Sequence, residues 1–422
     1  MFIIYDFIFL VVALVTLPIY LFKRKLHRGM LARFGVLPSG LKLDGPVWIH
    51  AVSVGEAIAI RGLLEELRKI FPHKKFIIST VTPTGNKIAQ GLARQGDLVT
   101  YLPADFSFIV RGVLKKLKPS FFIIAETEIW PNLISCLFKQ DIPVAVVNGR
   151  ISDSSFRGYS LIKFLIKPIL GKISLFCMQT GRDSERLFSL GVTRDKVKVT
   201  GNLKFDALRT IPYPAEKKSG LGLADQERLL VCGSTHPGEE EIILAAYRHL
   251  LSEFPNLRLF IAPRHPERTT EVEKLILRFN FAPLRVSQSS LKAKAGESKP
   301  VFILDTIGEL LDYYCLADIV FVGGSMVKKG GHNILEPASL SKPVIFGPHM
   351  FNFRDIAGLF LEHQAAVEVR NPQELQKKIK FFLSQPGEAQ ALGKKAKELV
   401  LRNRGATLKT CQHLQDSCIK IS

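Results

Sequence analysis

An acidic residue, Glu56, ends the segment HAVSVGE, which begins at His50. The apolar run before it predicts a strand that ends near Val52, and after a Ser-Gly turn Glu56 opens the next helix. A helix N-terminus stabilises a carboxylate through its dipole and its N–H groups, and Gly55 lets a ligand approach the backbone closely. A carboxylate placed there suits general-base chemistry, although an ordinary first-turn glutamate fits the spacing equally well.

Two further carboxylates, Glu126 and Glu128, lie in the segment AETEIWPN, directly after another apolar run. Trp130 follows them, and Pro131 is a residue type that often begins a helix. Carboxylates next to an aromatic ring suit a hydroxyl-rich sugar, and mutual repulsion between like charges would perturb their titration. Solvated loop acids are the alternative interpretation.

A single lysine, Lys204, stands in the segment TGNLKFD after a third apolar run. Its ammonium group is a compact positive charge that suits a phosphate or a carboxylate. Because isolated lysines are usually solvated, the motif alone indicates little.

The second half of the chain carries several loops that favour anions, each after an apolar run. GSTHPGEEE (233–241) predicts a turn of backbone amides that would bind an anion, and Arg264 in PRHPER suits bidentate contact with phosphate. Gly308 lies in the loop DTIGEL, and the glycines of GGSMVKKGGHNILE (323–336) would free N–H groups for phosphate oxygens. Asn333 and Glu336, three residues apart, fall on one helix face, where a carboxylate can accept ribose hydroxyls. Together these loops predict a nucleotide-phosphate site.

The spacing of metal-binding residue types predicts no metal site. His236, His265 and His332 are far apart in the sequence and are interpreted as isolated, and Glu239 to Glu241 read as a charged helix start. The six cysteines form no CxxC pair, which indicates reduced thiols without a disulfide framework.

The pattern of elements that would position these residues predicts two parallel α/β domains. Continuous apolar strands alternate with amphipathic helices, which is typical of βαβ units. The predicted strands are Val47–Val52, Phe76–Thr80, Leu98–Leu102, Phe121–Ala125, Val144–Asn148, Leu175–Gln179, Val197–Thr200, Leu229–Cys232, Arg258–Ala262, Val301–Leu304, Ile319–Val322, Val344–Phe346 and Ala366–Val369. We therefore expect an α/β fold of two Rossmann-like, doubly wound domains facing a cleft, with ligands beyond the carboxyl ends of the strands.

The domain boundaries follow from changes in composition. We expect an N-terminal membrane anchor over 1–25, a first Rossmann-like domain over 26–205, and a linker rich in Pro and Gly over 206–226. A second Rossmann-like domain over 227–387 and a helical segment over 388–422 complete the chain. A polar insert at 287–299 is expected to be a surface loop.

The N-terminus and the net charge both indicate a membrane surface. Residues 7–22 read FIFLVVALVTLPIYLF, which approaches the length of a bilayer span, and five basic residues or histidines follow within 23–28. The positive-inside rule then leaves the bulk of the chain in the cytoplasm. A buried or interfacial helix is the alternative. The net charge of +20 calls for anionic partners such as phosphorylated substrates, acidic lipids or nucleic acid.

The ordered set of motifs resembles the Kdo transferases of lipopolysaccharide synthesis, where Kdo is 3-deoxy-D-manno-octulosonic acid. The resemblance covers HAVSVGE, TPTG (82–85), ETEIWPN, NGRIS (148–152), TGNLKFD, PRHPER, GEL and VGGSMVKKGGHNILEP, from the anchor to about residue 353. It implies the GT-B architecture, in which the domain over 26–205 binds the acceptor and the domain over 227–387 binds the nucleotide sugar. It also implies inverting transfer of Kdo from CMP-Kdo to a lipid A precursor, lipid IVA, without a metal or another cofactor. It also implies a chain anchored in the inner membrane with its catalytic domains on the cytoplasmic side.

The resemblance assigns roles to individual residues. Glu56 corresponds to the general base, and Glu126 and Lys204 correspond to catalytic positions that support the transition state. The positions implied to bind CMP are Pro263, Arg264, Gly308, Glu309, Leu310, Asn333, Ile334, Leu335 and Glu336. The departures are small: Ile307 stands where relatives often carry Met, and Lys329 where some carry Arg, which weakens bidentate contact there.

Two other readings remain open at this point. Another GT-B nucleotide-sugar enzyme, either a transferase acting on a lipid-linked acceptor or an epimerase, would share the glycine-rich loop but not the pair HAVSVGE and ETEIWPN. A basic nucleic-acid-binding or adaptor protein would need an aromatic and basic platform. Because the basic residues are scattered, nucleic acid is not expected as a partner.

Overall fold

The computed structural model describes residues 5–7, 9–11, 14–15, 29–38, 40–41, 43–208, 211–288 and 300–419. The chain divides into two compact units, one formed by residues 1–207 and 403–422 and the other by residues 208–402. The predicted domains differ from these units at the C-terminus, because the last helix returns to the first unit. Most of the expected anchor and most of the polar insert lie outside the described residues.

The first unit contains a parallel sheet of seven strands in the order β3-β2-β1-β4-β5-β6-β7. These strands are β1 (Val47–His50), β2 (Phe76–Thr80), β3 (Leu98–Tyr101), β4 (Phe121–Ala125), β5 (Val144–Gly149), β6 (Leu175–Met178) and β7 (Val197–Val199). The strand order reverses between β1 and β4, which is the point where doubly wound sheets bind ligands. All seven strands were predicted within three residues of their observed ends, because strands buried on both faces are continuously apolar.

Helices cover both faces of the first sheet. They are Met30–Arg33, Val54–Ile70, Pro83–Leu92, Ser107–Leu117, Pro131–Phe138, Asp153–Leu161, Lys163–Leu170, Gly181–Ser189 and Ala406–Ile419. Trp48 and Phe122 pack into the core on one face, and Ile49 and Ile123 into the core on the other. The core therefore reaches the strand ends that carry the acidic residues.

The C-terminal helix belongs to the first unit for two physical reasons. Its apolar residues Cys411 and Leu414 are buried in the same cluster as Ile60 of helix Val54–Ile70. The carboxylate of Asp206 accepts hydrogen bonds from the N–H groups of Gly405 (2.8 Å) and Thr407 (2.6 Å), so it satisfies the orphan donors at the helix start. The predicted separate segment over 388–422 is thus divided between the two units.

The second unit repeats the architecture with the strand order β10-β11-β9-β8-β12-β13-β14. Its strands are β8 (Arg228–Thr235), β9 (Leu257–Pro263), β10 (Pro283–Arg285), β11 (Val301–Ile303), β12 (Ile319–Val322), β13 (Val344–Phe346) and β14 (Val367–Glu368). The order reverses between β8 and β12. The sequence missed β10, which is three residues long and begins with proline, a residue type depleted in strands.

The helices of the second unit are Ala215–Gly220, Glu239–Leu251, Thr269–Arg278, Leu310–Leu316, Leu335–Ser339, Arg354–Glu362, Pro372–Ser384 and Pro386–Arg402. The first of these lies inside the predicted linker, which is therefore partly helical. All paired strands in both units run parallel. The expected α/β class with two doubly wound domains is confirmed.

No helix within the described residues is long and apolar enough to cross a membrane.

Candidate active site

Glu56 lies at the start of helix Val54–Ile70, immediately beyond β1, as predicted. Its Oε2 accepts a hydrogen bond from the N–H of Val52 (2.7 Å), and its Oε1 accepts one from the hydroxyl of Ser53 (2.9 Å). The carboxylate therefore folds back over its own helix start and helps to satisfy it. Both contacts fix the side chain at the carboxyl end of the strand.

The pKa of Glu56 is raised to about 7. Burial is the largest cause, followed by the negative charge of Glu126, while the hydrogen bonds from Val52 and Ser53 partly oppose the rise. A carboxylate with a pKa near neutrality is partly ionised at neutral pH and is basic enough to accept a proton. Burial and a like charge thus outweigh the helix dipole, which by itself would lower the basicity of Glu56.

Glu126 lies directly beyond β4, the strand next to β1 at the reversal point of the sheet. Its backbone has a φ of +59°, a conformation that is strained for a residue with a Cβ and persists only where the surrounding structure holds it. The Glu126 N–H donates to the carbonyl of Val147 (2.9 Å), which fixes the turn against the next strand. Lys204 Nζ lies 3.2 Å from Glu126 Oε1. The three predicted catalytic residues therefore meet at one edge of the first sheet.

Lys204 is positioned by a network that the sequence analysis did not anticipate. Asn148, with a φ of +53°, accepts a hydrogen bond from the N–H of Leu203 through its Oδ1 (2.9 Å). Asn202 in turn donates from Nδ2 to Gln179 Oε1 (2.9 Å). The short 3-10 turn that carries Lys204 is thus attached to the ends of β5 and β6. The motif NGRIS was the available signal for Asn148.

A second acid, Glu128, extends this edge toward buried polar groups. The indole N–H of Trp130 donates to Glu128 Oε2 (3.1 Å), and His50 Nε2 lies 3.8 Å from the same oxygen. The His50 ring is fully buried and its Nδ1 lies 3.0 Å from the Ser79 hydroxyl. Trp130 therefore orients Glu128, and His50 is a functional candidate that pattern reasoning missed, because it reads as part of an apolar strand.

In the second unit, Pro263 ends β9, and the Arg264 N–H donates to the carbonyl of Thr235 at the end of β8 (2.9 Å). The side chain of Arg264 is exposed. The contact ties the two strand ends together and leaves the guanidinium at the edge of the sheet. These positions agree with the expected location beyond a strand, and their role toward CMP stays a prediction.

The loop after β11 holds Gly308 and Glu309, and Leu310 begins the helix Leu310–Leu316. Gly308 has a φ of +93°, which favours glycine. The carboxylate of Glu309 accepts a hydrogen bond from Lys217 Nζ (2.5 Å) and another from the hydroxyl of Thr306. The bond from Lys217 is the main reason that the pKa of Glu309 lies below its ordinary value. Lys217, which the sequence analysis placed in the linker, therefore supports this loop.

The run from Asn333 to Glu336 begins helix Leu335–Ser339. Asn333 Nδ2 donates to Glu336 Oε1 (3.1 Å), and Asn333 Oδ1 accepts from the N–H of Leu335 (3.1 Å). Ile334 and Leu335 are fully buried and anchor the turn in the core. Asn333 precedes the helix and does not lie on its face, so the expected shared helix face is wrong, although the two side chains are in contact. The ribose role of Glu336 stays a prediction.

The glycine-rich loop after β12 differs from the sequence-based expectation. The carboxylate of Glu239 accepts hydrogen bonds from the N–H groups of Gly324 (2.7 Å), Ser325 (3.0 Å) and Met326 (2.9 Å), and from that of His236 (3.0 Å). These amides, which were expected to bind phosphate, are occupied by the protein itself. A fully buried carboxylate needs such donors to offset its desolvation, so Glu239 is a structural clamp rather than a solvated helix-start acid.

The interpretation of the second-unit histidines as isolated was wrong. His236 Nε2 and His332 Nε2 lie 2.9 Å apart, because β8 and β12 are neighbours and their loops converge. Over the part of the chain that the structure covers, there is no group of three or more His, Cys, Asp or Glu side chains placed to hold a metal ion.

Comparison with known proteins agrees with both halves of this arrangement. Residues 28–207 match the family model described as 3-Deoxy-D-manno-octulosonic-acid transferase (kdotransferase), and residues 240–399 match that of Glycosyl transferases group 1. The chain is similar to the 3-deoxy-D-manno-octulosonic acid transferase of Haemophilus influenzae, with 38% identity over 85% of this chain and 84% of the relative. The transferase of the same name from Chlamydophila psittaci is 30% identical over 99% of this chain and 97% of the relative.

A solved structure supports the two-domain fold. UDP-GlcNAc 2-epimerase from Neisseria meningitidis, bound to UDP-GlcNAc, aligns with a TM-score of 0.60 over 88% of this chain and 100% of that chain, at 15% identity. This likeness concerns the fold alone, two parallel-sheet α/β domains of the GT-B kind. The family matches and the two relatives, together with the acidic site beyond β1 and β4, lead to one conclusion: the chain belongs to the 3-deoxy-D-manno-octulosonic acid (Kdo) transferase family and is a glycosyltransferase.

Proposed function

We propose that this enzyme transfers Kdo from CMP-Kdo to a hydroxyl of lipid IVA, with inversion at the anomeric carbon and Glu56 as the general base. The new bond forms between the acceptor oxygen and the anomeric carbon, and the bond from that carbon to the CMP phosphate oxygen breaks. The electron pair of the broken bond leaves with CMP, and the hydroxyl proton passes to the carboxylate of Glu56. One displacement of this kind inverts the configuration.

The position of Glu56, held at the end of β1, carries this proposal, and its raised pKa supports it. A sugar hydroxyl is a poor nucleophile at neutral pH, so a base must accept its proton as the bond forms. Glu56, with a pKa of about 7, has the basicity that the step requires, and its hydrogen bonds from Val52 and Ser53 hold it in place. Glu126 raises the basicity further through its negative charge.

Lys204 is proposed to balance charge at the same edge. It lies 3.2 Å from Glu126 Oε1, and both side chains are about four-fifths shielded from solvent. A positive charge in such a place stabilises negative charge that develops during transfer. The same contact holds the Glu126 carboxylate at this edge, where its negative charge acts on Glu56.

The donor is proposed to bind at the edge of the second sheet. Pro263 and Arg264 follow β9, Gly308 to Leu310 follow β11, and Asn333 to Glu336 follow β12. The exposed Arg264 suits phosphate, and the Glu336 carboxylate, held by Asn333 Nδ2 (3.1 Å), suits ribose hydroxyls. These contacts are local to one unit.

The test is incubation of the purified full chain with CMP-Kdo and lipid IVA, followed by mass spectrometry of the lipid. We expect one or more mass increments of a Kdo residue, together with release of CMP in equal amount. A parallel reaction with a UDP-sugar donor is the control for donor class. An unmodified lipid under conditions in which CMP-Kdo stays intact would overturn the proposal.

We further propose that the enzyme works at the cytoplasmic face of the inner membrane. The first unit exposes large apolar side chains, with Phe7 and Phe108 each 66% and Phe164 74% exposed. Asp6, Phe7, Leu10 and Phe34 line a mostly apolar groove of about 600 Å³. A net charge of +20 adds attraction to anionic headgroups, and the proposed lipid acceptor would lie in the same membrane.

Deletion of residues 1–22 tests the membrane proposal. Without the apolar segment, much of the protein should leave the membrane fraction, and the remainder should dissociate in high salt because charge alone holds it. A deletion variant that stays with membranes at high salt as fully as the intact chain would contradict an N-terminal anchor.

A further inference from the structure

Three histidines form a cluster at the carboxyl ends of three adjacent strands of the second sheet. His236 follows β8, His265 follows β9 and His332 lies in the loop after β12. The rings of His236 and His332 are parallel within 5°, with centroids 5.2 Å apart and their Nε2 atoms in hydrogen-bond contact. The ring of His265 meets that of His236 edge to face at 5.9 Å. No element of the proposed reaction described above uses these rings.

The backbone beneath the cluster fixes the positions of the rings. Gly324 has a φ of +66°, and a Cβ there would lie 2.9 Å from His332 Cδ2 and 3.3 Å from His236 Cδ2. The carboxylate of Glu239 binds the N–H groups of both His236 and Gly324. The two loops that carry the histidines are therefore held by one buried acid, and only glycine fits under the rings.

The cluster lies in a field of positive charge. The pKa of His236 and the pKa of His332 are each lowered to about 4, mainly by burial. His265 and Arg264 add to the lowering at both rings, and Lys329 and Arg268 add to it at His236. Both rings are therefore neutral at physiological pH, and a negative charge placed beside them would reverse part of this effect.

Only part of this positive charge is neutralised within the unit. Arg268 is paired with Glu240 (2.8 Å) and Glu271 (2.9 Å). Arg264 and Lys329, in contrast, form no ion pair among the side chains that the structure describes, and both are exposed. The cluster thus combines ring N–H donors with two uncompensated cations, which is the chemistry that recognises an oxyanion.

We propose that His236, His265 and His332, together with Arg264, form a subsite for an oxyanion of the donor. That group is either the nucleotide phosphate or the carboxylate of the sugar, and the inference rests on the proposed nucleotide-sugar reaction. In the neutral pair one Nε2 donates to the other, so only one Nδ1 remains a donor; uptake of one proton makes both Nδ1 atoms donors. The bound oxyanion and the added proton therefore stabilise each other.

A divalent metal ion fits the cluster less well than an oxyanion. The positive charges of Arg264 and Lys329 repel a cation. The buried carboxylates of Glu239 and Glu240 are engaged elsewhere, by backbone amides and by Arg268 respectively. The same charges attract an anion. A bound oxyanion should therefore raise the pKa of the histidines, whereas a bound metal ion should lower it.

The test is NMR titration of the full chain with ¹³C-labelled histidine, from pH 4 to 8, without ligand and with saturating cytidine, CMP or free Kdo. Signals are assigned with His236→Gln and His332→Gln, and His249→Gln, on an exposed helix position, is the control. With an oxyanion bound, the pKa of the His236–His332 pair should rise by at least about one pH unit, whereas cytidine should have no effect. If CMP raises this pKa, the subsite binds the nucleotide phosphate. If only free Kdo raises it, the subsite binds the carboxylate of the sugar.

Binding and kinetics complete the test. His332→Gln should weaken, by about tenfold or more, the binding of whichever ligand raises the pKa. His249→Gln should leave the affinity for that ligand unchanged. An unchanged pKa with every ligand, or stoichiometric Zn²⁺ binding that is lost in His236→Gln, would overturn the subsite. Normal transfer by His332→Gln with an unchanged donor KM also excludes the subsite but leaves the proposed function intact. If the wild-type chain transfers no Kdo, the proposed function itself is wrong, and that result is distinct from failure of the subsite.

Discussion

Lys204 Nζ lies 3.2 Å from Glu126 Oε1, although the two residues are 78 positions apart in the chain. The pair forms because the turn after β7 reaches back to the end of β4. Glu126 also raises the pKa of Glu56, so the lysine acts on the proposed base through its partner. This relationship leads to the first prediction.

Lys204→Met should leave the charge of Glu126 uncompensated and so raise the pKa of Glu56 further. Turnover at pH 7 should fall by roughly 10²-fold, the scale of losing one preorganised electrostatic contact, and the rise of kcat with pH should move to higher pH. A pH–rate profile measures both effects. Lys69→Met, which removes an exposed lysine from its pair with Glu66 (2.6 Å), is the matched control and should change neither.

Glu56→Gln keeps the shape of the side chain and removes its ability to accept a proton. Turnover should fall by about 10²–10⁴-fold. In the wild type, kcat should rise with pH through about 7, because only the ionised form of Glu56 is a base; this rise should be absent from the variant. Steady-state kinetics at saturating donor and acceptor provide the measurement.

The control for Glu56 is Glu185→Gln, at an exposed position of the same unit. CMP affinity should be similar in both variants, because the proposed nucleotide site belongs to the second unit. Near-normal turnover of Glu56→Gln would shift the role of the base to Glu126 or Glu128.

Glu336→Ala should weaken CMP binding by about 1–3 kcal/mol, the scale of losing hydrogen bonds to a charged group. Its carboxylate is already oriented by Asn333 Nδ2 at 3.1 Å. Isothermal titration calorimetry with CMP gives the affinity, and Glu362→Ala, on the helix Arg354–Glu362, serves as the control. Equal affinities of a folded Glu336→Ala and the wild type would argue against the ribose contact.

Glu239→Gln should loosen the glycine-rich loop. In the wild type, one carboxylate oxygen of Glu239 accepts hydrogen bonds from the N–H groups of Ser325 and Met326. A carboxamide places an NH₂ group at one of its two positions, and that group cannot accept a hydrogen bond. Leaving buried donors unsatisfied costs about 1–3 kcal/mol each. Hydrogen exchange of the peptide that covers residues 324–326 should become much faster.

Glu241→Gln is the matched control for this loop. Glu241 is exposed in the same first turn, and its carboxylate accepts the N–H of Gly238 (3.1 Å) and does not contact the loop amides as Glu239 does. Exchange at residues 324–326 should therefore not change. Unaltered exchange in Glu239→Gln would show that the carboxylate is not what holds the loop.

Asp105 should make the first unit less stable as pH rises from about 4 to 7. Its pKa is raised to about 7, mainly by burial, although the N–H groups of Asn132 and Leu133 donate to it. Below the ordinary pKa of an aspartate, Asp105 is protonated in both the folded and the unfolded state. Between the two values only the folded state holds the proton, so the free energy of unfolding falls with pH by at most about 4 kcal/mol. Above about 7 both states are ionised and the slope ends.

Tryptophan fluorescence during urea unfolding at pH 4.5, 6 and 7.5 tests this dependence, because Trp48 and Trp130 both lie in the first unit. Asp105→Asn should flatten the slope, and the raised pKa of Glu56 should leave a residual slope of the same sign. The control, Asp141→Asn, is exposed and at a φ of +54°, which asparagine tolerates. A slope that persists unchanged in Asp105→Asn would contradict the assignment.

The sequence by itself determined the strands and the positions of most site residues. Strands buried on both faces must be continuously apolar, so Phe121–Ala125 and Ile319–Val322 were predicted at their observed bounds. Parallel strands bring their carboxyl ends to one edge, so residues that follow different strands, such as Glu56 and Glu126, were expected to meet. Periodicity and elementary topology suffice for both conclusions.

Only the tertiary structure decided which polar groups satisfy one another. Glu239 takes the amides of the glycine-rich loop, His236 meets His332, and Asp206 holds the start of the last helix on the first unit. These partners are 85, 96 and 201 positions apart. Local patterns cannot encode such pairs, because a buried carboxylate or imidazole accepts any donor that the packing brings within reach, and packing depends on the order of the strands in the sheet.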